Sequence, residues 1–224
     1  MSERPFRIVL FGATSFVGRW IADYLLAHHP DVPFALAARN PAKLDALKQQ
    51  LAQDHPAAAS LPTILADSDD ADSLTAMARQ GDVVLTTVGP YALYGERLVG
   101  VCVATGTSYV DLTGEPHFVR RMIDQHHAAA AQAGVRIVHA CGFDSVPSDL
   151  GTFVLQAAAI ERHGAPCSRV DLVVKAAKGG LSGGTAASMV ALMEQIGDPF
   201  VRRVMANPYS LAPGDAGPDR GEQR

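Results

Sequence analysis

Cysteine is scarce in this chain. Its three cysteines, Cys102, Cys141 and Cys167, are widely spaced and odd in number, which argues against a disulfide framework or a zinc site and points to a reducing, cytoplasmic compartment. The paired histidines His28-His29 and His126-His127 are adjacent, so each pair points to different sides of a helix and no metal site is expected. Long apolar runs are missing too: nothing approaches the ~20 consecutive residues of a membrane span, so no integral membrane segment is expected. Glu3 and Arg4 precede a run of only strand length, unlike a signal peptide. Lysine and arginine total 19 against 23 acidic residues, a net charge of −4 with no basic cluster, so no nucleic-acid partner is expected. What is present is core material. Hydrophobic residues make up 48% and charged residues 19% of 224, enough for one large domain or one domain and part of another.

The chain is organised around residues 7 to 18. Ile8 to Phe11 is a short apolar run suited to a strand buried on both faces, Gly12 follows at once, and a helical pattern begins near Val17. A helix N-terminus presents free N–H groups and the positive end of its dipole, an anion site. The spacing is Gly12-x-x-Ser15-x-x-Gly18, with serine where the middle glycine of a dinucleotide turn is expected. Serine fits there if its φ is negative, and its hydroxyl could donate to a phosphate. Gly12, Thr14, Ser15, Phe16, Val17 and Gly18 are thus the expected pyrophosphate contacts, with Gly12 bare so that the backbone can approach.

Five further strand signals alternate with helices. They are Phe34–Ala38, Thr63–Ala66, Asp82–Val88, Ser108–Leu112 and Val135–His139. Helices are expected over about 42–53, 74–78, 94–104 and 116–133, the last three closed by Gly81, Gly106 and Gly134. That rhythm specifies an α/β fold with a Rossmann-type, doubly wound parallel sheet. Ligands then lie beyond the carboxyl ends of the strands, where strand order reverses. Arg39 stands 21 residues past Gly18, where an acid would bind the ribose 2′-hydroxyl of NAD. An arginine offers a planar cationic fork to a 2′-phosphate instead, so the expected cofactor is NADP rather than NAD. Asp67, past the third strand, either borders the adenine or caps the next helix. Val88, Gly89 and Pro90 end the fourth strand beside the ribose and nicotinamide, with Tyr91 next to them.

Gly12-Ala-Thr-Ser-Phe-Val-Gly18, Val88-Gly-Pro-Tyr91, Tyr109-Val-Asp-Leu-Thr-Gly-Glu115 and Cys141-Gly-Phe-Asp-Ser-Val-Pro-Ser-Asp-Leu-Gly151 together resemble the saccharopine dehydrogenase-like oxidoreductases. Within them they are most similar to the branch that includes the trans-acting enoyl reductases of polyketide-derived lipid synthesis, which Ser182-Gly-Gly-Thr185 also fits. The resemblance implies an NAD(P)-binding domain followed by a smaller α/β domain over the nicotinamide, and a small-molecule substrate. Ser15 departs from the family's usual glycine, and such proteins continue well beyond Arg224.

The expected organisation is a cofactor domain over 1–165, a partial substrate or dimerisation domain over 166–200, and a disordered tail over 201–224. The middle part contains a strand at Val170–Ala176, a flexible loop at Gly179–Gly184 and a helix from Thr185 to about Ile196. Its apolar residues have little to cover them, which suggests a homo-oligomer or a missing C-terminal segment. As for chemistry, no tyrosine has lysine four residues later, which excludes the short-chain dehydrogenase proton donor. Tyr91, Asp144 and Ser145 are the candidates for steering a substrate, Asp144 as acid or anchor if buried. Asp144 suits a local turn equally well, and Ser148 and Asp149 suit a helix cap. Two functions are open: an NADP-dependent reductase of a carbonyl, imine or activated double bond, and a nucleotide-binding protein without turnover.

Overall fold

Short runs of Val, Ile, Leu, Phe and Ala become the six strands of one sheet in the computed structural model, which describes residues 4–176, 178 and 183–212. The strands are Phe6–Phe11 (β1), Phe34–Ala38 (β2), Thr63–Leu65 (β3), Gly81–Thr86 (β4), Ser108–Val110 (β5) and Ile137–Val138 (β6). Their order is β3-β2-β1-β4-β5-β6 and every neighbouring pair is parallel. Strand order reverses between β1 and β4, where Val9 sits level with both Ala35 and Val84. The sheet is therefore doubly wound and Rossmann-type.

Helices Phe16–His28 (α1) and Pro41–Leu51 (α2) cover one face of β1 and β2, burying Ala22, Leu25, Leu44 and Leu47 against Leu10 and Leu36. Helices Ala71–Ala78 (α3), Tyr91–Thr105 (α4) and Pro116–Ala133 (α5) cover the other face, where Met77, Leu98, Phe118 and Met122 meet Val9, Val84 and Tyr109. Gly106 and Gly134 end α4 and α5 in left-handed conformation. Gly81 does not end α3, however. It opens β4, and a Cβ there would lie 2.7 Å from a Val9 methyl, so packing between strands demands the glycine.

Among the described residues three helices follow the sheet: Val146–His163 (α6), Gly183–Gln195 (α7) and Pro199–Ala206 (α8). The last corrects the expected disordered tail over 201–224. Pro199 opens α8, the Asp198 carboxylate accepts from the Phe200 N–H at 2.7 Å, and Val201 and Val204 are buried as the helix packs against α5. Residues 213–224 lie outside the described residues, as does most of the expected loop at Gly179–Gly184. Val170–Ala176 is not a strand. Among the described residues no neighbouring strand offers it a ladder, and strand structure exists only by pairing.

Candidate functional site

The site is built where β1 gives way to α1. Gly12 takes φ 83, and its N–H and that of Ala13 donate to the Ala37 carbonyl at 2.9 and 3.2 Å, which fastens the turn to β2. A Cβ on Gly12 would lie 2.6 Å from Thr87 Oγ1 and 2.9 Å from a Val88 methyl. The glycine is thus required by left-handed backbone and by the β4 tip pressing on it, a different reason from an approaching pyrophosphate. Gly18 has the packing role its place in the turn implies, since a Cβ there would run into the Gly12 carbonyl oxygen.

Ser15 is the N-cap of α1 with φ −73 and ψ 167. Its Oγ accepts from the Gly18 N–H at 2.9 Å and shares a 2.9 Å hydrogen bond with Thr87 Oγ1. Thr87 Oγ1 in turn donates to the Gly12 carbonyl at 2.9 Å. A carbonyl only accepts, so the Thr87 proton is used there and the Ser15 proton goes to Thr87. The Ser15 hydroxyl is spent inside the protein, tying the turn to β4, and leaves no proton for a phosphate. The N–H groups of Phe16 and Val17, at the first two positions of α1, have no intrahelical partner and, among the described residues, no other backbone or side-chain acceptor. Thr14 is half-buried beside them and the Phe16 ring is exposed.

Arg39 follows β2 directly and is exposed; among the described residues its guanidinium makes no hydrogen bond or ion pair. Asn40 beside it caps α2, accepting from the Lys43 N–H at 3.0 Å. Asp67 holds a turn by accepting from the Asp69 N–H at 3.1 Å, while the cap of α3 is Asp70. The capping alternative for Asp67 therefore falls to its neighbour.

At the β4 tip, Val88 and Gly89 are half-buried, Pro90 is buried, and α4 begins at Tyr91. That start is earlier than the pattern from residue 94 implies, because a remote carboxylate caps it. Glu115 Oε1 accepts from the Tyr91 N–H at 3.0 Å and Oε2 from the Ala92 N–H at 2.8 Å. Tyr91 turns its ring into the core, where its hydroxyl donates to the Thr86 carbonyl at 3.3 Å. Burial, and then the nearby Asp111 charge, push that phenol well above its ordinary range. A substrate-facing catalytic role for the Tyr91 hydroxyl is thereby corrected: the residue meets the tip through its backbone.

Beyond β5 lies a group that sequence reasoning missed. The fully buried Asp111 carboxylate accepts from Tyr109 Oη at 2.9 Å, the Thr113 N–H at 3.1 Å, His139 Nδ1 at 2.7 Å and the Ala140 N–H at 3.0 Å. Its backbone carbonyl accepts from the Cys141 N–H at 2.8 Å. Asp111 thus seats the loop after β6, in which Ala140 takes φ 57. Asp144 and Ser145 follow on that loop. Asp144 is exposed, so the burial on which an acid role was to rest is absent, and Ser145 precedes α6 without a side-chain cap. The Ser148 hydroxyl donates to the Ser145 carbonyl at 2.8 Å. The signal for this group was an aspartate and a glutamate at the end of an otherwise apolar strand.

Comparison with known proteins accords with this geometry. Residues 8–138 match the model of the saccharopine dehydrogenase NADP binding domain. Over 99% of its length the chain is 46% identical to a Mycobacterium tuberculosis protein named among the trans-acting enoyl reductases, and 43% identical to the trans-acting enoyl reductase of Mycobacterium leprae. It spans about half, 53%, of each of these relatives. Among solved structures, apo saccharopine dehydrogenase (L-Glu forming) from Saccharomyces cerevisiae superposes with a TM-score of 0.55 at 20% identity, covering 71% of this chain and 32% of that one, a likeness of fold. The open N-terminus of α1, its two close-packed glycines and the unpaired Arg39 fit the cofactor of that domain, and the chain belongs to the saccharopine dehydrogenase family through its NADP-binding domain.

Proposed function

We propose that this chain is the cofactor-binding half of a cytoplasmic NADP-dependent reductase acting on an enoyl substrate, within the wider class of carbonyl, imine and enoyl reductions. The observation that carries the reading is the match to proteins named trans-acting enoyl reductases over 99% of the chain. Gly12, Thr14, Ser15, Phe16, Val17 and Gly18 shape the turn that receives the pyrophosphate, and the free N–H groups of α1 bind it. Arg39 grips the 2′-phosphate, Asp67 borders the adenine, and Val88, Gly89 and Pro90 flank the ribose and nicotinamide. The bound cofactor supplies the hydride; the protein supplies position and electrostatics. Asp144 and Ser145, on the loop that Asp111 holds, serve as polar contacts for the substrate. The exposed apolar side chains of α6 and α7 meet a second copy or sequence corresponding to the remaining half of the relatives.

Titration with both cofactors is the test. The chain binds NADPH more tightly than NADH, and Arg39→Asp weakens NADPH by at least tenfold, about 1.4 kcal/mol, while sparing NADH. Equal affinity of the unmodified chain for both refutes the assignment. One observation favours a second reading, nucleotide binding without turnover: the Tyr91 hydroxyl is held in the core. NADPH binding with no consumption in the presence of enoyl thioesters would select it.

A further inference from the structure

Two helix N-termini face the carboxyl edge of the sheet at its switch point, α1 after β1 and α4 after β4. Either could attract a phosphate. They are treated differently. At α1 the first N–H groups are open, whereas at α4 the N-cap residue is Pro90, which has no side-chain oxygen, and Glu115 fills the position from the loop after β5. Glu115 is 6% exposed, and its carboxylate is set against the positive end of α4. It therefore closes α4 to anions and leaves α1 as the phosphate site.

Glu115 has a third partner. Ser188 Oγ donates to Oε1 at 2.8 Å, from a helix 73 residues further along the chain. On α7 the shielded residues are Ser188, Ala191, Leu192 and Gln195, one stripe at helical spacing, while Met189, Val190 and Met193 are exposed. The helix thus turns its Ser188 side toward the domain, with Ser188 plugged into the carboxylate that holds Tyr91 and Ala92. One buried carboxylate joins the β4 tip, the β5 tip and α7.

We propose that Glu115 is a positioning residue for the nicotinamide end of the cofactor, fixing the Val88–Ala92 turn and seating α7 over it through Ser188. This rests on the NADP reading above. It separates the two ends of the cofactor: the adenosine end is held by α1 and Arg39, remote from Glu115, and the nicotinamide end depends on the turn that Glu115 clamps. Replacing the carboxylate by an amide removes the charge and one acceptor, loosening that turn and α7 together.

The test uses the 224-residue chain, calorimetric titration, and two probes, NADPH and adenosine 2′,5′-bisphosphate, which is the adenosine end alone. Glu115→Gln lowers NADPH affinity about tenfold while the affinity for the bisphosphate stays within about twofold. Ser188→Ala, which deletes one half-buried hydroxyl, lowers NADPH affinity about threefold with the bisphosphate unchanged. The double variant is no weaker than Glu115→Gln, because both changes break one linkage. Parallel loss of both probes in Glu115→Gln marks a merely structural role and overturns the proposal, as does unchanged NADPH affinity in Glu115→Gln. Should Glu115→Gln not fold, Ser188→Ala decides alone, and unchanged NADPH affinity there is fatal. Failure of the unmodified chain to bind either probe would instead bring down the cofactor reading itself.

Discussion

The stretch from β1 to β6 and the stretch from α6 to α8 are made of similar residues and meet opposite fates. In the first, Val9, Leu10, Ala35, Leu36 and Val84 are fully buried beneath helices. In the second, Phe153 is 71%, Val173 75% and Met193 72% exposed, and among the described residues α6 buries only Ala159 and α7 only Ala191. Apolar composition is therefore common to both, and cover is not. A helix closes its own hydrogen bonds, so α6 and α7 form on local grounds, while burial needs a facing surface. α8 shows the rule from the other side: it is short, yet it finds α5 and buries Val201 and Val204. The residues of α6 and α7 lie in the part of the chain beyond the match to the NADP-binding domain, which ends at 138.

Substitutions sharpen that contrast. The largest effect is expected at Asp111, whose carboxylate satisfies buried donors from two strand tips. Asp111→Ala leaves His139 and two backbone N–H groups without partners and costs about 3–5 kcal/mol, read as a fall in the urea midpoint. Gly12→Val places a branched side chain in left-handed backbone against Thr87 and Val88, and costs about 3 kcal/mol in the same measurement. An unchanged midpoint would show that the turn relaxes freely. Ser15→Ala removes the α1 cap and the link to Thr87 for about 1 kcal/mol. Because the Ser15 proton is already used, NADPH affinity in Ser15→Ala at saturating stability changes less than twofold by calorimetry. The smallest effect belongs to the second region: Phe153→Ser shifts stability by no more than about 0.5 kcal/mol, read from the urea midpoint. A loss of several kcal/mol there would erase the contrast, since it would mean that α6 is already packed.

Local features of the site were legible from the sequence for a simple reason. Gly12, Ser15 and Gly18 sit within one turn, so spacing alone announces a strand meeting a helix, and Arg39 is one step past the next strand. The contacts that were missed join residues over distance. Ser15 reaches Thr87 across 72 residues, Tyr91 reaches Glu115 across 24, and Asp111 reaches His139 across 28. Nothing in Tyr109–Glu115 read alone says which backbone its two carboxylates cap. Tyr91 was misjudged for the same reason: its backbone lies at the tip, but the depth of its ring depends on Phe118 and the helix that carries it.

By itself, then, the sequence determined the alternation of strands and helices, the doubly wound parallel class and the glycine turn between β1 and α1. These depend on hydrophobic period and on the conformations that glycine and proline permit, which are properties of neighbouring residues. Only the tertiary structure decided that the Ser15 hydroxyl faces inward, that Glu115 rather than Pro90 caps α4, that Val170–Ala176 stays unpaired and that α8 docks on α5. Each of those outcomes is a choice of hydrogen-bond or packing partner, and partners are assigned by which strands and helices the fold sets side by side.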